Sequence, residues 1–312
     1  MRAKDFIPGL HKDPPDPRDW LYSKVRAAVP LPKKFCWDLT SLPVRDQGNW
    51  GTCAGHAGAQ CKELYTWNKR QKSMRYSPRF LYTLCKQHDE LPEGTEGTTL
   101  RALAKVMTEY GVCEEDLMPY MPSYKDLYNP SAKMLENAKL HVIKGYARCQ
   151  TQQELKQALI EQGPVVFGMQ LTHTFIEDAK DGVVPEKYGG FLIGGHAMTL
   201  IGYDDEKGWY IVLNSWGIKP PVTDNKGLNY IPYSYMHATI KDLGNMPVMQ
   251  DAWALLQREV PFQDIWGHWA QADIEKATEA GLLAGFPDGT FRPEAPVTRA
   301  QMAVLLNKLA KG

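Results

Sequence analysis

Two hydrophobic spacings alternate along this chain, and each marks a different kind of element. From Cys53 the sequence reads CAGHAGAQCKELYTWNKR, in which Ala54, Ala57, Cys61, Leu64 and Tyr65 share one helical face with no proline to interrupt it. This predicts a helix whose first residue is Cys53. Residues 98–110 and 151–162 also read as helices, the second opening on Thr151-Gln152-Gln153-Glu154, a capping-box pattern. Compact apolar runs then take over: Pro164-Val165-Val166-Phe167-Gly168-Met169, the stretch after His196, and Trp209-Tyr210-Ile211-Val212-Leu213 all read as strands. A helical early half followed by a strand-rich half, about 140–150 and 164–258, gives an α+β class.

The candidate chemistry begins at the Cys53 helix. A cysteine is a good nucleophile only as a thiolate, which an imidazolium or a helix N-terminus favours. The unpaired N–H groups at the start of the predicted helix face Cys53, and Gly48 to Thr52 form the loop that enters it. Gln47 lies six residues before Cys53, the layout of an oxyanion donor beside a thiol. His196 stands at the start of a strand-like run, and Asn214 follows it by 18 residues at the end of the next strand. A hairpin would therefore bring Asn214 beside His196 to fix the imidazole, with Trp216 shielding the bond. His56, three residues after Cys53, is a rival base with no orienting partner of its own.

Cysteine, histidine and asparagine in this order, with His196 143 residues after Cys53 and the run Asn214-Ser215-Trp216-Gly217, resemble the papain family of cysteine peptidases. The likeness extends over about residues 31–259. It includes Tyr76-Ser77-Pro78-Arg79-Phe80, Gly97-Thr98-Thr99, Tyr110-Gly111-Val112-Cys113, Pro119-Tyr120 and Gly163-Pro164-Val165, in forms seen among bacterial members. The resemblance implies a two-lobed fold, a helical lobe and a β-barrel-like lobe, with Asp251 to Leu256 in the closing strand. It implies Cys53 as nucleophile, His196 as base, Asn214 as orienter and Gln47 as oxyanion donor. Gly97, Thr98, Gly168, Gly194, Gly195 and Trp216 would line the substrate cleft. The implied activity is hydrolysis of protein or peptide substrates through a thioester. A cell-wall-degrading cysteine amidase or endopeptidase and a non-catalytic wall-binding protein are the competing readings. Three departures mark the chain as divergent: Trp50 replaces a usual cysteine, Ala54 a usual aromatic, and the loop Ile218 to Thr223 lacks a second Trp-Gly.

Composition narrows the partners. The 312 residues carry a formal net charge of zero, which argues against nucleic acid or an anionic membrane. No apolar run is long enough to span a bilayer, and the first twenty residues lack the apolar core of a secretory signal. Six cysteines form no CxxC pair, so no structural metal and no cofactor is expected. Mostly free, buried thiols are expected instead. Residues 1–30, with Pro14-Pro15-Asp16-Pro17, read as an extended arm. The arm is expected to pack on the surface away from the cleft, with a course across the cleft as the alternative.

The pattern restarts after Val260. Phe262 to Trp269, a helix over about 269–282, Asp288-Gly289-Thr290-Phe291-Arg292-Pro293, and a last helix from 299 to about 309 capped by Thr298 and Gln301 resemble an S-layer homology (SLH) module. Val297 and Met302 suit a hydrophobic staple on that last helix. Three domains follow: arm 1–30, peptidase 31–259, SLH-like module 260–312. The resemblance implies cell-wall polysaccharide as a partner, with Asp264, Trp269 and Arg299 as glycan contacts, and a cell-surface or extracellular location. A lone unit of this size buries little surface. It would either pack on the peptidase domain or assemble three chains into a homotrimer.

Overall fold

The computed structural model describes residues 7–27, 29–40, 42–121, 129–258, 261–265 and 267–310. The first six residues of the arm and the expected boundary at 259–260 lie outside the described residues. The helices are α1 (Tyr22–Val25), α2 (Cys53–Arg70), α3 (Pro78–His88), α4 (Leu100–Glu109), α5 (Ala132–Lys139), α6 (Gln152–Glu161), α7 (His173–Glu177), α8 (Tyr233–Met236), α9 (Gln271–Glu279) and α10 (Arg299–Leu309). The strands are β1 (Leu10–His11), β2 (Lys34–Cys36), β3 (Thr98–Thr99), β4 (Ile143–Arg148), β5 (Val165–Thr172), β6 (Leu192–Asp204), β7 (Trp209–Leu213), β8 (Leu228–Pro232), β9 (Thr239–Ile240), β10 (Met246–Pro247) and β11 (Met249–Gln257).

One antiparallel sheet organises the molecule, in the order β4-β11-β5-β6-β7-β8, with β2 pairing onto β6. Its central strands are apolar on both faces because both faces are covered. Along β5, Val165, Phe167, Met169 and Leu171 enter one core with Met198 and Leu200 of β6, while Val166 enters another with Ala197 of β6 and Trp253 of β11. The period-2 alternation of a strand thus sorts neighbouring residues into two cores. The second core is the helical lobe, where α2, α3 and α4 contribute Cys61, Phe80, Leu81, Leu103 and Met107. This is the two-lobed α+β architecture expected from the sequence.

Local signals place the helix ends. Thr151 and Glu154 form the expected reciprocal cap on α6, and Thr298 and Gln301 do so on α10. Ser77 accepts the Phe80 N–H at the start of α3, with Pro78 as its first residue. Five of the six cysteines are buried and all six are free, as expected of mostly free, buried thiols; Cys36 is the exposed one. Among the described residues, no helix is long and apolar enough to cross a membrane.

The C-terminal module has a core of its own made of Phe262, Ile265 and Ile274, with Ala270 and Phe291 against it. It meets the rest of the chain through an ion pair between Arg258 and the buried carboxylate of Glu275. Its last helix finds no such cover. α10 buries no residue, and Val297, Met302, Val304, Leu306 and Leu309 all stand exposed. The staple pair Val297 and Met302 is therefore solvent-facing in the single chain.

Candidate active site

The site is assembled where the entry loop of α2 meets the turn after β7. Gln47 N–H donates to Ser215 O at 2.7 Å and Gly217 N–H to Arg45 O at 2.8 Å, so residues 45–47 lie along 215–217. The Gln47 side chain is held at both ends: its Nε2 donates to Trp50 O at 2.6 Å, and its Oε1 accepts from the Ser215 hydroxyl at 2.6 Å. The Tyr120 hydroxyl donates to Gln47 O and stands 2.9 Å from Thr52 Oγ1, fixing the loop against the helix start.

Cys53 is the first residue of α2, and the backbone N–H groups of Ala197, Ala54 and Cys53 lie near enough to favour its thiolate. Because Ala197 follows His196 on β6, the thiol and the imidazole belong to facing lobes of one cleft. His196 Nε2 lies 2.9 Å from Asn214 Oδ1, the contact the hairpin was expected to make. Strand register explains it: β6 and β7 pair Thr199 with Leu213, which leaves Asn214 just beyond the ladder beside His196. Trp216 stacks on the His196 ring with centroids 4.6 Å apart and planes 22° from parallel. Gln60 on α2 donates to Asn214 O at 3.0 Å and accepts from the Thr199 hydroxyl, tying the helical lobe to the same turn.

His56 is placed differently. Its Nδ1 contacts Thr52 O at 3.0 Å within its own helix, its ring edge meets Tyr120, and burial pushes its pKa down to about 3. That neighbourhood gives it the environment of a neutral structural histidine.

The arm fills the cleft. Residues 8–11 run between the two lobes, against the sequence expectation that the arm packs elsewhere. Gly9 N–H donates to Gly195 O at 3.2 Å and lies within reach of the Cys53 sulfur, while Gly9 O accepts from Thr98 N–H at 3.0 Å. β1 pairs with β3 in parallel, Leu10 opposite Thr98. The glycines singled out in the sequence surround this segment. A β-carbon at Gly97 would fall 2.6 Å from Gly9 O, one at Gly168 2.1 Å from Leu10 Cδ2, one at Gly194 2.4 Å from Pro8 Cγ, and one at Gly195 2.2 Å from Leu10 O. Only residues without side chains let the arm lie this deep. Trp216 packs its ring against His196 and Phe175.

Downstream, Asp13 bolts the arm down. Its buried carboxylate accepts the Arg101 N–H at the start of α4 and the Trp253 indole N–H, at 2.9 and 2.8 Å, while its own N–H donates to Asp251 Oδ2 at 2.9 Å. Asp19 adds a paired contact to the Arg101 guanidinium. No sequence period announces these contacts, because they depend on where a coil segment lies.

With the arm in place Cys53 and His196 are both fully buried. Burial pushes the thiol up to about 11 and the imidazole down to about 4, the latter partly offset by the Asn214 hydrogen bond. Both shifts favour the uncharged forms of the pair while the arm is in place.

A sequence profile described as papain family cysteine protease matches residues 31–223. The chain belongs to the papain family of cysteine proteases. It is thus a hydrolase of the cysteine peptidase class, with a second profile, the S-layer homology domain, matching residues 261–303. The papain-family chain is 28% identical over 226 residues to an uncharacterized peptidase C1-like protein of Acanthamoeba polyphaga mimivirus, covering 68% of this chain and 69% of that one. Among solved structures, xylellain, a cysteine protease from Xylella fastidiosa, superposes with a TM-score of 0.69 at 24% identity, over 81% of this chain and 96% of the other, a likeness of fold. The C-terminal module is 48% identical over 46 residues to a cellulosome-anchoring protein of Acetivibrio thermocellus, of which the match spans 10%.

In the module, both carboxylate oxygens of Asp264 accept backbone N–H groups, from Phe291 at 2.8 Å and Arg292 at 2.6 Å. That organises the turn before Pro293 while the side chain stays exposed. Trp269, 81% exposed, and Arg299, at the first position of α10, face solvent.

Proposed function

We propose that this papain-family peptidase cleaves peptide bonds through a Cys53 thioester. The observation that carries the reading is the buried 2.9 Å contact between His196 Nε2 and Asn214 Oδ1, on the wall of the cleft that faces the start of α2. Once the arm withdraws, water regains the cleft and the charged thiolate–imidazolium pair becomes the favoured form, with the α2 N–H groups on the anion. The thiolate attacks the scissile carbonyl, and the Cys53 N–H with the remaining N–H of the Gln47 amide receives the developing oxyanion. His196 protonates the leaving amine, then removes a proton from the water that hydrolyses the thioester. Asn214 holds the imidazole through both steps.

Gly97, Thr98, Gly168, Gly194, Gly195 and Trp216 form the substrate cleft in this reading, supported for the first five by their contact with the arm, and Trp216 also stacks on His196. The SLH module would hold the enzyme at cell-wall polysaccharide, with Asp264, Trp269 and Arg299 as the contacts, Asp264 also supporting the turn. The uncovered apolar residues of α10 favour a homotrimer joined through the modules. A trimer mass by light scattering at micromolar concentration is expected; a monomer would refute the assembly.

The decisive comparison is wild type against Cys53→Ala on peptide, casein and purified peptidoglycan, with a thiol-directed epoxide as label. Cleavage of peptide and casein that Cys53→Ala abolishes supports the proposal. Cleavage of peptidoglycan alone would support the wall-degrading alternative, and no cleavage with no label at Cys53 would leave a binding protein.

A further inference from the structure

We propose that Asn229 is a positioning residue that, together with the Ser215 N–H, fixes which end of the Asn214 amide faces His196. An asparagine side chain has one accepting end and one donating end of nearly equal shape. If Asn214 were turned round, its N–H would confront the protonated Nε2 of the imidazole, donor against donor. Buried groups tolerate that poorly, because an unpaired donor there loses its full hydration.

The structure holds the amide the useful way through a one-directional relay. Asn214 Oδ1 accepts from Ser215 N–H at 2.8 Å as well as facing His196, and Asn214 Nδ2 donates to Asn229 Oδ1 at 2.7 Å. Asn229 cannot turn round in its place, since its Nδ2 donates to Val222 O at 2.7 Å and points to Gly182 O at 3.4 Å. Backbone carbonyls only accept. The order from Val222 O through Asn229 and Asn214 to His196 is thereby set at the far end by main chain. Asn229 sits in β8 opposite Val212, fully buried among the strands of the sheet lobe, where a polar amide needs such partners. It touches no reacting atom and acts through Asn214 alone.

The chemical consequence lies in the proton positions. An acceptor fixed at Nε2 keeps that nitrogen protonated and leaves Nδ1 to exchange a proton with Cys53. This consequence rests on the proposed thioester mechanism, whereas the orientation itself does not.

Asn229→Val and Asn229→Thr separate the roles, because both are β-branched and suit a strand while only threonine retains an acceptor for Asn214 Nδ2. In the full chain carrying Cys53→Ala, NMR titration of His196 is expected to show the imidazolium destabilised in the valine variant by about one pH unit, a tenfold change. The threonine variant is expected to return toward the parent. With Cys53 present, the valine variant should lower kcat/KM about tenfold, with the alkaline limb moved to lower pH. It should cause no further loss in an Asn214→Ala background. A His196 titration the same in the parent and both variants, or displaced equally in both, would overturn the proposal. An inactive wild type would refute the peptidase mechanism and still leave the NMR comparison to decide the role of Asn229.

Discussion

Gly9 and Gly51 pass so closely that a β-carbon on Gly9 would lie 2.4 Å from the Gly51 carbonyl oxygen. No side chain fits there, so the docked arm depends on glycine at position 9. Gly9→Val is expected to expel the arm and raise the initial rate on a small peptide about tenfold or more, since overlap with fixed backbone cannot be relieved by a rotamer change. Alkylation of Cys53 should accelerate in parallel. An unchanged rate would mean that the arm does not limit access.

The anchor makes docking sensitive to pH. The Asp251 carboxyl is pushed up to about 6, first by burial and then by the Asp13 carboxylate, against the attraction of Arg148 on β4 and Lys12 in the arm. A carboxyl raised by docking binds its proton more tightly when the arm is in place. The Asp13 part of that rise belongs to the docked arm, so docking takes up protons near pH 6, tightens as pH falls, and weakens as pH rises. The activity ratio of wild type to Gly9→Val should climb roughly severalfold from pH 5 to pH 7. Asp251→Asn, which retains an oxygen for the Asp13 N–H, should flatten that ratio.

Leu10 occupies a pocket that exists because residue 168 is glycine. A valine there would collide with the Leu10 side chain, where a β-carbon would stand 2.1 Å from Cδ2. In a Gly9→Val background, Gly168→Val is expected to lower kcat/KM for peptides that place leucine in this pocket at least about tenfold relative to peptides that place alanine there. Equal losses for both peptides would show that substrates do not use the Leu10 position.

The exposed apolar residues of α10 carry a matching expectation for assembly. Val304→Glu puts a charge among Met302, Leu306 and Leu309 without touching a buried contact of the single chain. A trimer should fall to monomer in light scattering, with peptidase activity on a small substrate retained. A mass that does not change would place any association elsewhere.

Much of the site could be read in advance because its signals are local or fixed by register. The helix beginning at Cys53, the caps on α6 and α10, and the β6–β7 hairpin that pairs Thr199 with Leu213 follow from periodicity, capping residues and short connections. Asn229 was not legible, since a polar residue in a strand says nothing of its partner until β8 is laid beside β7. The local role of Asp264 was not legible for a related reason: an acid in a turn motif accepts two backbone N–H groups about 27 residues away, which only the folded turn reveals.

The sequence by itself determined the α+β class, the papain-like order of Gln47, Cys53, His196 and Asn214, and the separate SLH module, because each is written in residue types at fixed spacing. Only the tertiary structure decided where the arm goes. Its course through the cleft rests on the Gly9 contact with Gly51, the Leu10 contact with Gly168, and the Asp13 carboxylate between α4 and β11. Those contacts join segments up to 240 residues apart in a stretch with no repeating pattern, so they arise from packing and not from any local preference of the chain.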